Sequence, residues 1–149
     1  MNKFTKKKFF SGLFLIICFA VVILHYGYLY SLPPLLRNAY EHRNIYPQGT
    51  SRWALDATSD ATDFFKIGMS EKDALAVIAQ SGLELSKNTS RTPKQVKMFD
   101  KHISAYQNIR AGFAGMAILY GVSYTYVVSL DFNDDKLDQI RATLIINTL

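Results

Sequence analysis

The residues that could do chemistry in this sequence are few and widely separated. The histidines are His25, His42 and His102, and the single cysteine is Cys18. His102 stands alone after Lys101, and no two of these side chains have the short spacing of metal ligands. The chain also lacks the Gly-x-Ser-x-Gly and phosphate-loop motifs. The sequence therefore predicts no catalytic set, no metal site and no cofactor, and we expect a protein that is not an enzyme.

The densest group of acidic side chains lies near the C-terminus, at Asp131, Asp134, Asp135 and Asp138. A calcium site of the EF-hand type needs a defined order of ligands and a closing glutamate, which this stretch lacks. The sequence therefore predicts a solvated turn at these four residues.

Positive charge is concentrated at the N-terminus. The net charge is +5, and Lys3, Lys6, Lys7 and Lys8 precede the first acidic residue, Glu41. The remainder of the chain is almost balanced in charge, whereas a nucleic-acid-binding domain would need basic residues clustered on one face. We expect no nucleic-acid partner, and nothing indicates a small-molecule substrate.

Residues 9–30 form a run without Lys, Arg, Asp or Glu. As a helix this run would be about 33 Å long, enough to cross a bilayer core about 30 Å thick. Tyrosines cluster at its far end, where aromatic rings favour the headgroup region. Because the lysines of residues 1–8 precede the run, the positive-inside rule predicts a single-pass protein of the bacterial inner membrane. Its N-terminus is then cytoplasmic, and its C-terminal domain is periplasmic.

Three other interpretations of the apolar run remain open. Cys18-Phe19-Ala20 resembles a poor signal-peptidase site, but the run continues for about ten more residues, which favours retention. A lipoprotein signal would need a smaller residue than Ile17 before the cysteine. A buried core helix is disfavoured by the lysine tail and by the length of the run.

Residues 31–52 are predicted to connect the membrane anchor to a domain formed by residues 53–149. Three of the four prolines lie in this connector, as is typical of a semi-rigid spacer. Tyr40, Tyr46 and Trp53 fall within it or next to it, outside the predicted core elements. Because aromatic residues commonly anchor protein contacts, we predict that these three bind a partner; the alternative is that their rings cover the core.

Residues 71–80 show the signals of a complete helix. Ser70 is a favourable N-cap, and Asp73 completes a capping box. Gly82 fits the left-handed position that closes a helix. A further helical turn is expected at residues 61–65. The apolar stripe predicted to face the core consists of Leu75, Ile78 and Ala79.

Residues 124–132 alternate between apolar and polar side chains, which is typical of a half-buried strand. A turn at residues 133–135 and a partner strand at residues 136–146 complete a predicted hairpin. The uncharged residues 111–130 are alternatively long enough for a second membrane span, but their glycines and the alternation favour the hairpin. The predicted inner faces comprise Tyr124, Tyr126, Val128, Leu130 and Phe132 on one strand and Ile140, Ala142, Leu144 and Ile146 on the other.

The order of the predicted elements indicates the fold class. Residues 103–121 add one or two further strands, so helices fill the first half of the domain and strands the second. This order predicts an α+β domain of two short helices packed on a three- to four-stranded antiparallel sheet. We also expect residues 50–149 to fold without the anchor.

The stretches FFKIGMSEKDALAVI and YTYVVSLDFNDDKLDQI resemble the SmpA/OmlA group, which includes the BamE subunit of the outer-membrane β-barrel assembly machine, and the related β-lactamase-inhibitor-protein folds. The resemblance covers roughly residues 60–146. The chain departs from the pattern where Ser81-Gly82-Leu83 replaces Gly-x-Pro and where a transmembrane segment replaces the lipobox. The residues that match the pattern are Phe64, Phe65, Gly68, Met69, Ser70, Phe132 and Leu137.

Two function classes follow from the missing catalytic motifs and this resemblance. The first is a membrane-anchored envelope protein whose periplasmic domain binds another protein, as a structural or assembly subunit. The alternative is a periplasmic inhibitor or immunity protein against a secreted toxin or enzyme. The expected partners are therefore the lipid bilayer and another envelope protein or membrane complex.

Overall fold

The described helices precede the three long strands in the computed structural model, which describes residues 3–49, 51, 53–86, 99–110 and 122–148. The described helices are α1 (Lys3–Ser31), α2 (Pro34–Glu41), α3 (Thr58–Phe64) and α4 (Glu71–Gln80), with a 3-10 helix at His42–Asn44. The described strands are β1 (Ala54–Asp56), β2 (Glu84–Leu85), β3 (Lys101–Arg110), β4 (Val122–Asn133) and β5 (Lys136–Thr148). The predicted α+β class is confirmed.

The segment Ser11–Ser31 of α1 is long and apolar enough to cross a membrane, by length and composition. Its large apolar side chains are exposed: the exposed fractions are 67% for Phe14, 68% for Ile16 and 69% for Phe19. A contiguous apolar surface of this size is typical of a segment that lies in lipid or against another protein. The last turns of the helix differ, because Leu29 is buried in the core of the domain.

The predicted connector, residues 31–52, is in the structure largely a folded part of the domain. Pro34 begins α2, where a missing backbone N–H leaves no intrahelical hydrogen bond unmade. One face of this amphipathic helix then packs into the core. The prediction of a spacer was wrong because a short amphipathic helix is marginal alone and forms through tertiary packing. The buried residues of α2 are Leu35, Leu36, Ala39 and Tyr40.

Helix α4 begins and ends as the sequence predicts. The hydroxyl of Ser70 accepts a hydrogen bond from the backbone N–H of Asp73 at 3.2 Å. At the other end Gly82 has a φ of +64°, and the N–H of Leu83 donates to the carbonyl of Ile78. The predicted stripe needs one correction. Ala79 is exposed, and the fully buried positions of α4 are Ala74 and Ile78, which lie one turn apart.

The strands form one antiparallel sheet in the order β1-β5-β4-β3-β2. It has one or two strands more than predicted because β1 and β2 are short edge strands of three and two residues. The predicted hairpin is confirmed, with Tyr126 opposite Leu144. Residues 122–130 lie in β4 and not in a second spanning helix, whereas residues 111–121 of that run lie outside the described residues.

The core lies between the helices and one face of the sheet. Tyr126, Val128 and Leu130 of β4 point into it and are fully buried. They pack with α2, α3 and α4 in one cluster, which also contains Phe65. On the predicted inner faces only Tyr124 and Ile146, near the far end of the hairpin, are partly exposed. The domain thus has two layers, a helical layer and a sheet.

Candidate functional site

The outer surface of the sheet, called the open face below, points away from the helices. Because side chains alternate along a strand, residues one position removed from the core residues share this surface. Val127 and Ile145 lie on it, and neither belongs to the core cluster that the helices cover. The two central rows of the open face, read from β3 to β5, are Ser104, Ser129 and Arg141, and Tyr106, Val127 and Thr143.

Side-chain hydrogen bonds order one end of the open face. The hydroxyl of Thr125 on β4 donates to the carbonyl oxygen of Asn108 on β3 at 2.8 Å. The amide of Asn147 on β5 donates to the same hydroxyl at 2.8 Å. The chain of bonds therefore crosses three strands and holds three polar side chains in one arrangement. An ordered polar surface loses little conformational entropy when it binds a partner.

An ion-paired cluster lies at the other end of the open face. The side chain of Asp131 on β4 is fully buried, although it points to the outer surface. Its Oδ1 lies 2.6 Å from Nδ1 of His102 on β3. Its Oδ2 accepts a hydrogen bond from Nη2 of Arg141 on β5 at 2.8 Å. Each carboxylate oxygen thus contacts one neighbouring strand, and the cluster ties the three central strands together.

The predictions for two members of this cluster were wrong. Asp131 was expected in a solvated turn and is the most deeply buried carboxylate among the described residues. His102 was expected to be isolated and contacts that carboxylate directly. The turn itself is correctly predicted, since Asp134 and Asp135 are exposed and have φ values of +50° and +59°. The missed signal is register: the pairing of β4 with β5 shifts by one residue between Asp131 and Phe132, and this irregularity places Asp131 and Arg141 on the same face of the hairpin.

The chemistry of this cluster is that of a structural ion pair. Both oxygens of Asp131 already contact a neighbouring side chain, and burial keeps them from solvent. Arg141 is half-exposed and presents the rest of its guanidinium at the surface. It also lines a shallow hollow of about 340 Å³ between β5 and the segment before β1. Arg141 therefore presents a well-oriented cation on the open face.

A second polar cluster lies on the helical side of the domain, around Asp60 of α3. The hydroxyl of Tyr46 donates to Oδ2 of Asp60 at 2.5 Å. Nδ1 of His42 lies 2.8 Å from the same oxygen. Both partners belong to the predicted connector, so this carboxylate fastens the segment after α2 to the domain. The hydroxyl of Tyr126 is also buried and has no hydrogen-bond partner among the described residues.

Burial is the main cause of a raised pKa at both buried phenols. For Tyr46 the hydrogen bond to Asp60 and the charge of that carboxylate add to the effect of burial on the pKa. For Tyr126 the charge of Asp60 raises the pKa further. Because the folded-state pKa exceeds the unfolded value of about 10, the neutral phenols stabilise the fold fully below that pH. This stabilisation is lost as the pH rises above about 10.

We expect two phenylalanine substitutions to separate the contribution of the hydrogen bond from that of burial. Tyr46→Phe should cost about 1–2 kcal/mol at pH 7, because Asp60 loses a buried donor. Tyr126→Phe should be close to neutral, because its hydroxyl has no described partner. Both variants should lose stability less steeply than the parent above about pH 10. Urea unfolding, followed by the fluorescence of Trp53, measures the stability of the parent and of both variants. Equal losses of stability in the two variants at pH 7 would contradict a stabilising hydrogen bond from Tyr46 to Asp60.

The three aromatic residues predicted to bind a partner occupy different places. Tyr40 and Tyr46 are buried in the core, with exposed fractions of 6% and 8%, so they cover the core as the alternative interpretation expected. Burial also raises the pKa of Tyr40. Trp53 is 45% exposed beside the edge strand β1, and its backbone carbonyl accepts a hydrogen bond from Ile146. A partner-binding role of these residues stays a prediction, and exposure favours Trp53.

Among the residues that the structure describes, no group of three or more His, Cys, Asp or Glu side chains could hold a metal ion. Comparison with protein-family models, with curated proteins and with solved structures finds no match to this chain. The resemblance to the SmpA/OmlA group therefore stays a prediction from its motifs. The open face is the candidate functional site.

Proposed function

We propose that this protein is a single-pass membrane protein whose domain binds another envelope protein through the open face, as a structural or assembly subunit. The observation that carries this proposal is the two-layer domain attached directly to an exposed apolar helix. Among the residues that the structure describes, the core contacts of the sheet lie on its helical side, and the side chains of the other face are ordered by hydrogen bonds.

The form of the open face supports a protein partner over a small ligand. Small-molecule sites are usually concave and largely apolar. The open face instead presents hydroxyls, one half-exposed arginine and partly buried side chains such as Tyr106 and Val127 across a sheet. A stable protein contact needs about 800 Å² on each partner, which a sheet surface offers more readily than a pocket. Attachment to a membrane raises the effective concentration of a partner in the same membrane, so modest affinity suffices.

A photo-crosslinking amino acid at Val127 tests the proposal in the full-length protein in cells. We expect an adduct of one defined mass from position 127, at the centre of the open face. Lys72, which is exposed on α4 on the opposite side of the domain, is the matched control and should give no such adduct. Equal adducts at both positions, or an adduct at Lys72 alone, would contradict the assignment of the open face.

The identity of the adduct separates the two function classes. A membrane protein that is also recovered with the complex supports a structural or assembly subunit. A single soluble toxin or enzyme instead supports an inhibitor or immunity protein.

Topology is tested by reporters fused after residue 149. Because four lysines precede the apolar helix, we expect a reporter that works only in the periplasm to be active. A reporter that works only in the cytoplasm should be inactive at the same position. The reverse result would mean that the orientation of the protein in the membrane is inverted.

A further inference from the structure

Helix α2 folds back along the last turns of α1. The ring of Tyr40, near the end of α2, contacts the ring of His25 with 6.4 Å between centroids. His25 lies within the apolar segment Ser11–Ser31. Because a helix rises about 1.5 Å per residue, the domain reaches back about 9 Å from the end of α1. If α1 spans a bilayer, the end of α2 lies close to the lipid headgroups.

The residues that follow α2, 42–45, are called the membrane-proximal turn below. Arg43 lies over the ring of Tyr40, with 4.1 Å from its guanidinium carbon to the ring centroid. Its Nη1 donates to the carbonyl of Tyr40 at 2.6 Å. Ile45, two residues further on, is 76% exposed. The turn thus holds a guanidinium in place and presents a large apolar side chain beside it.

Arg43 has no acidic partner in the part of the chain that the structure describes. No carboxylate of a described residue lies within 4.0 Å of its guanidinium, although Glu41 is close in sequence. Only one of its nitrogens has a described hydrogen bond, and a guanidinium carries five N–H groups. A guanidinium stacked on an aromatic ring presents its remaining donors edge-on, in the geometry that binds phosphate.

We propose that the membrane-proximal turn is a site for an anionic phospholipid headgroup. Arg43 binds the lipid phosphate, and Ile45 inserts at the boundary between headgroups and acyl chains. This inference rests on the proposed membrane span of α1. Arg43 is a cation without a described acidic partner, it is stacked on the ring that contacts His25, and an exposed apolar residue follows two positions later. This combination suits the amphipathic boundary of a bilayer better than a polar protein surface. The contact fixes the orientation of the domain and therefore the direction of the open face.

Arg37 provides a matched control. It lies on α2, six residues before Arg43. Its guanidinium is also stacked on an aromatic ring, with 5.8 Å from the guanidinium carbon to the centroid of the Tyr30 ring. Like Arg43, it has no described carboxylate partner. Tyr30 is closer than His25 to the end of α1, so Arg37 lies further from the centre of the bilayer than Arg43. If positive charge in general attracts the domain to the membrane, substitution of either arginine should weaken membrane contact. If the turn is a headgroup site, only substitution of Arg43 should do so.

The experiment uses the full-length protein, with Cys18→Ser, in nanodiscs of phosphatidylcholine with or without phosphatidylglycerol. A fluorophore is attached at one cysteine in turn, from Ile45→Cys, Ile16→Cys or Leu85→Cys, and spin-labelled lipids report its depth. We expect strong quenching at position 16, shallow quenching at position 45 and none at position 85, an exposed leucine at the sheet edge. Quenching at 45 should increase with phosphatidylglycerol, fall with Arg43→Gln and remain with Arg37→Gln.

Each other outcome overturns a defined part of the proposal. Deep quenching at 16 without quenching at 45 refutes the headgroup site and leaves the membrane span intact, whereas no quenching at 16 refutes the span. If Arg37→Gln and Arg43→Gln reduced the quenching at position 45 equally, positive charge would attract the domain to the membrane without a specific headgroup site. If soluble glycerol phosphate abolished the quenching at position 45, the turn would be a site for free phosphate. A crosslink from position 45 to a protein would show that the turn contacts a protein.

Discussion

A fragment that begins at residue 50 should fail to fold cooperatively, although the sequence alone predicts that residues 50–149 fold without the anchor. The reason is that Leu35, Leu36, Tyr40 and Tyr46 are buried in the core and would be missing. Burial of one large apolar side chain contributes about 1.5–3 kcal/mol, so their loss removes at least about 6 kcal/mol. Total stability is only about 5–15 kcal/mol, so little remains.

The matched fragment begins at residue 32 and retains α2 and the 3-10 helix. We expect it to unfold in one cooperative transition, measured by circular dichroism and by urea denaturation. From the core cluster it loses Tyr28 and Leu29 of α1, and it also loses the ring contacts of His25 and Tyr30 with α2. Two fragments with indistinguishable melting curves would show that α2 is not needed for the core.

Ile78→Asp should unfold the domain or come close to it. Ile78 is 2% exposed and packs in the core cluster beneath α4. The substitution removes an apolar contact and buries an unpaired charge, and losses of about 4–5 kcal/mol or more arise by this mechanism. The measurement is the urea midpoint of the fragment that begins at residue 32.

Ala79→Asp is the control for this substitution. It introduces the same charge one residue further along the same helix, at a position that the structure exposes. We expect a change within about 0.5 kcal/mol, as for most surface substitutions. If Ala79→Asp were the more damaging of the two, the orientation of α4 would be wrong. The pair therefore tests the structure against the stripe that the sequence predicts.

These tests bear on the proposed function as well as on stability. If α2 belongs to the core, the apolar helix and the domain are joined by packed side chains and not by a flexible spacer. The open face then has a restricted orientation to the bilayer. Restricted orientation favours a partner that lies in the same membrane, because both surfaces are already partly aligned before they meet.

The elements whose signals are local could be predicted from the amino-acid sequence. The caps of α4 are set by Ser70, Asp73 and Gly82, which act within one helical turn of their own backbone. The hairpin of β4 and β5 follows from alternation with period two and from the turn at Asp134 and Asp135. The length of the apolar helix follows from composition alone.

Which surfaces of these elements face each other depends on contacts between distant parts of the chain. Residues 34–46 resemble a spacer because their few apolar side chains stand among charged residues and next to prolines, and the core that buries Leu35, Leu36 and Ala39 comes from distant strands. The burial of Asp131 depends on the register that brings His102, 29 residues away, opposite to it. The open face exists because all the described helices that pack on the sheet do so from one side. Each of these features is a long-range contact, and local sequence carries no direct signal for the partner of such a contact.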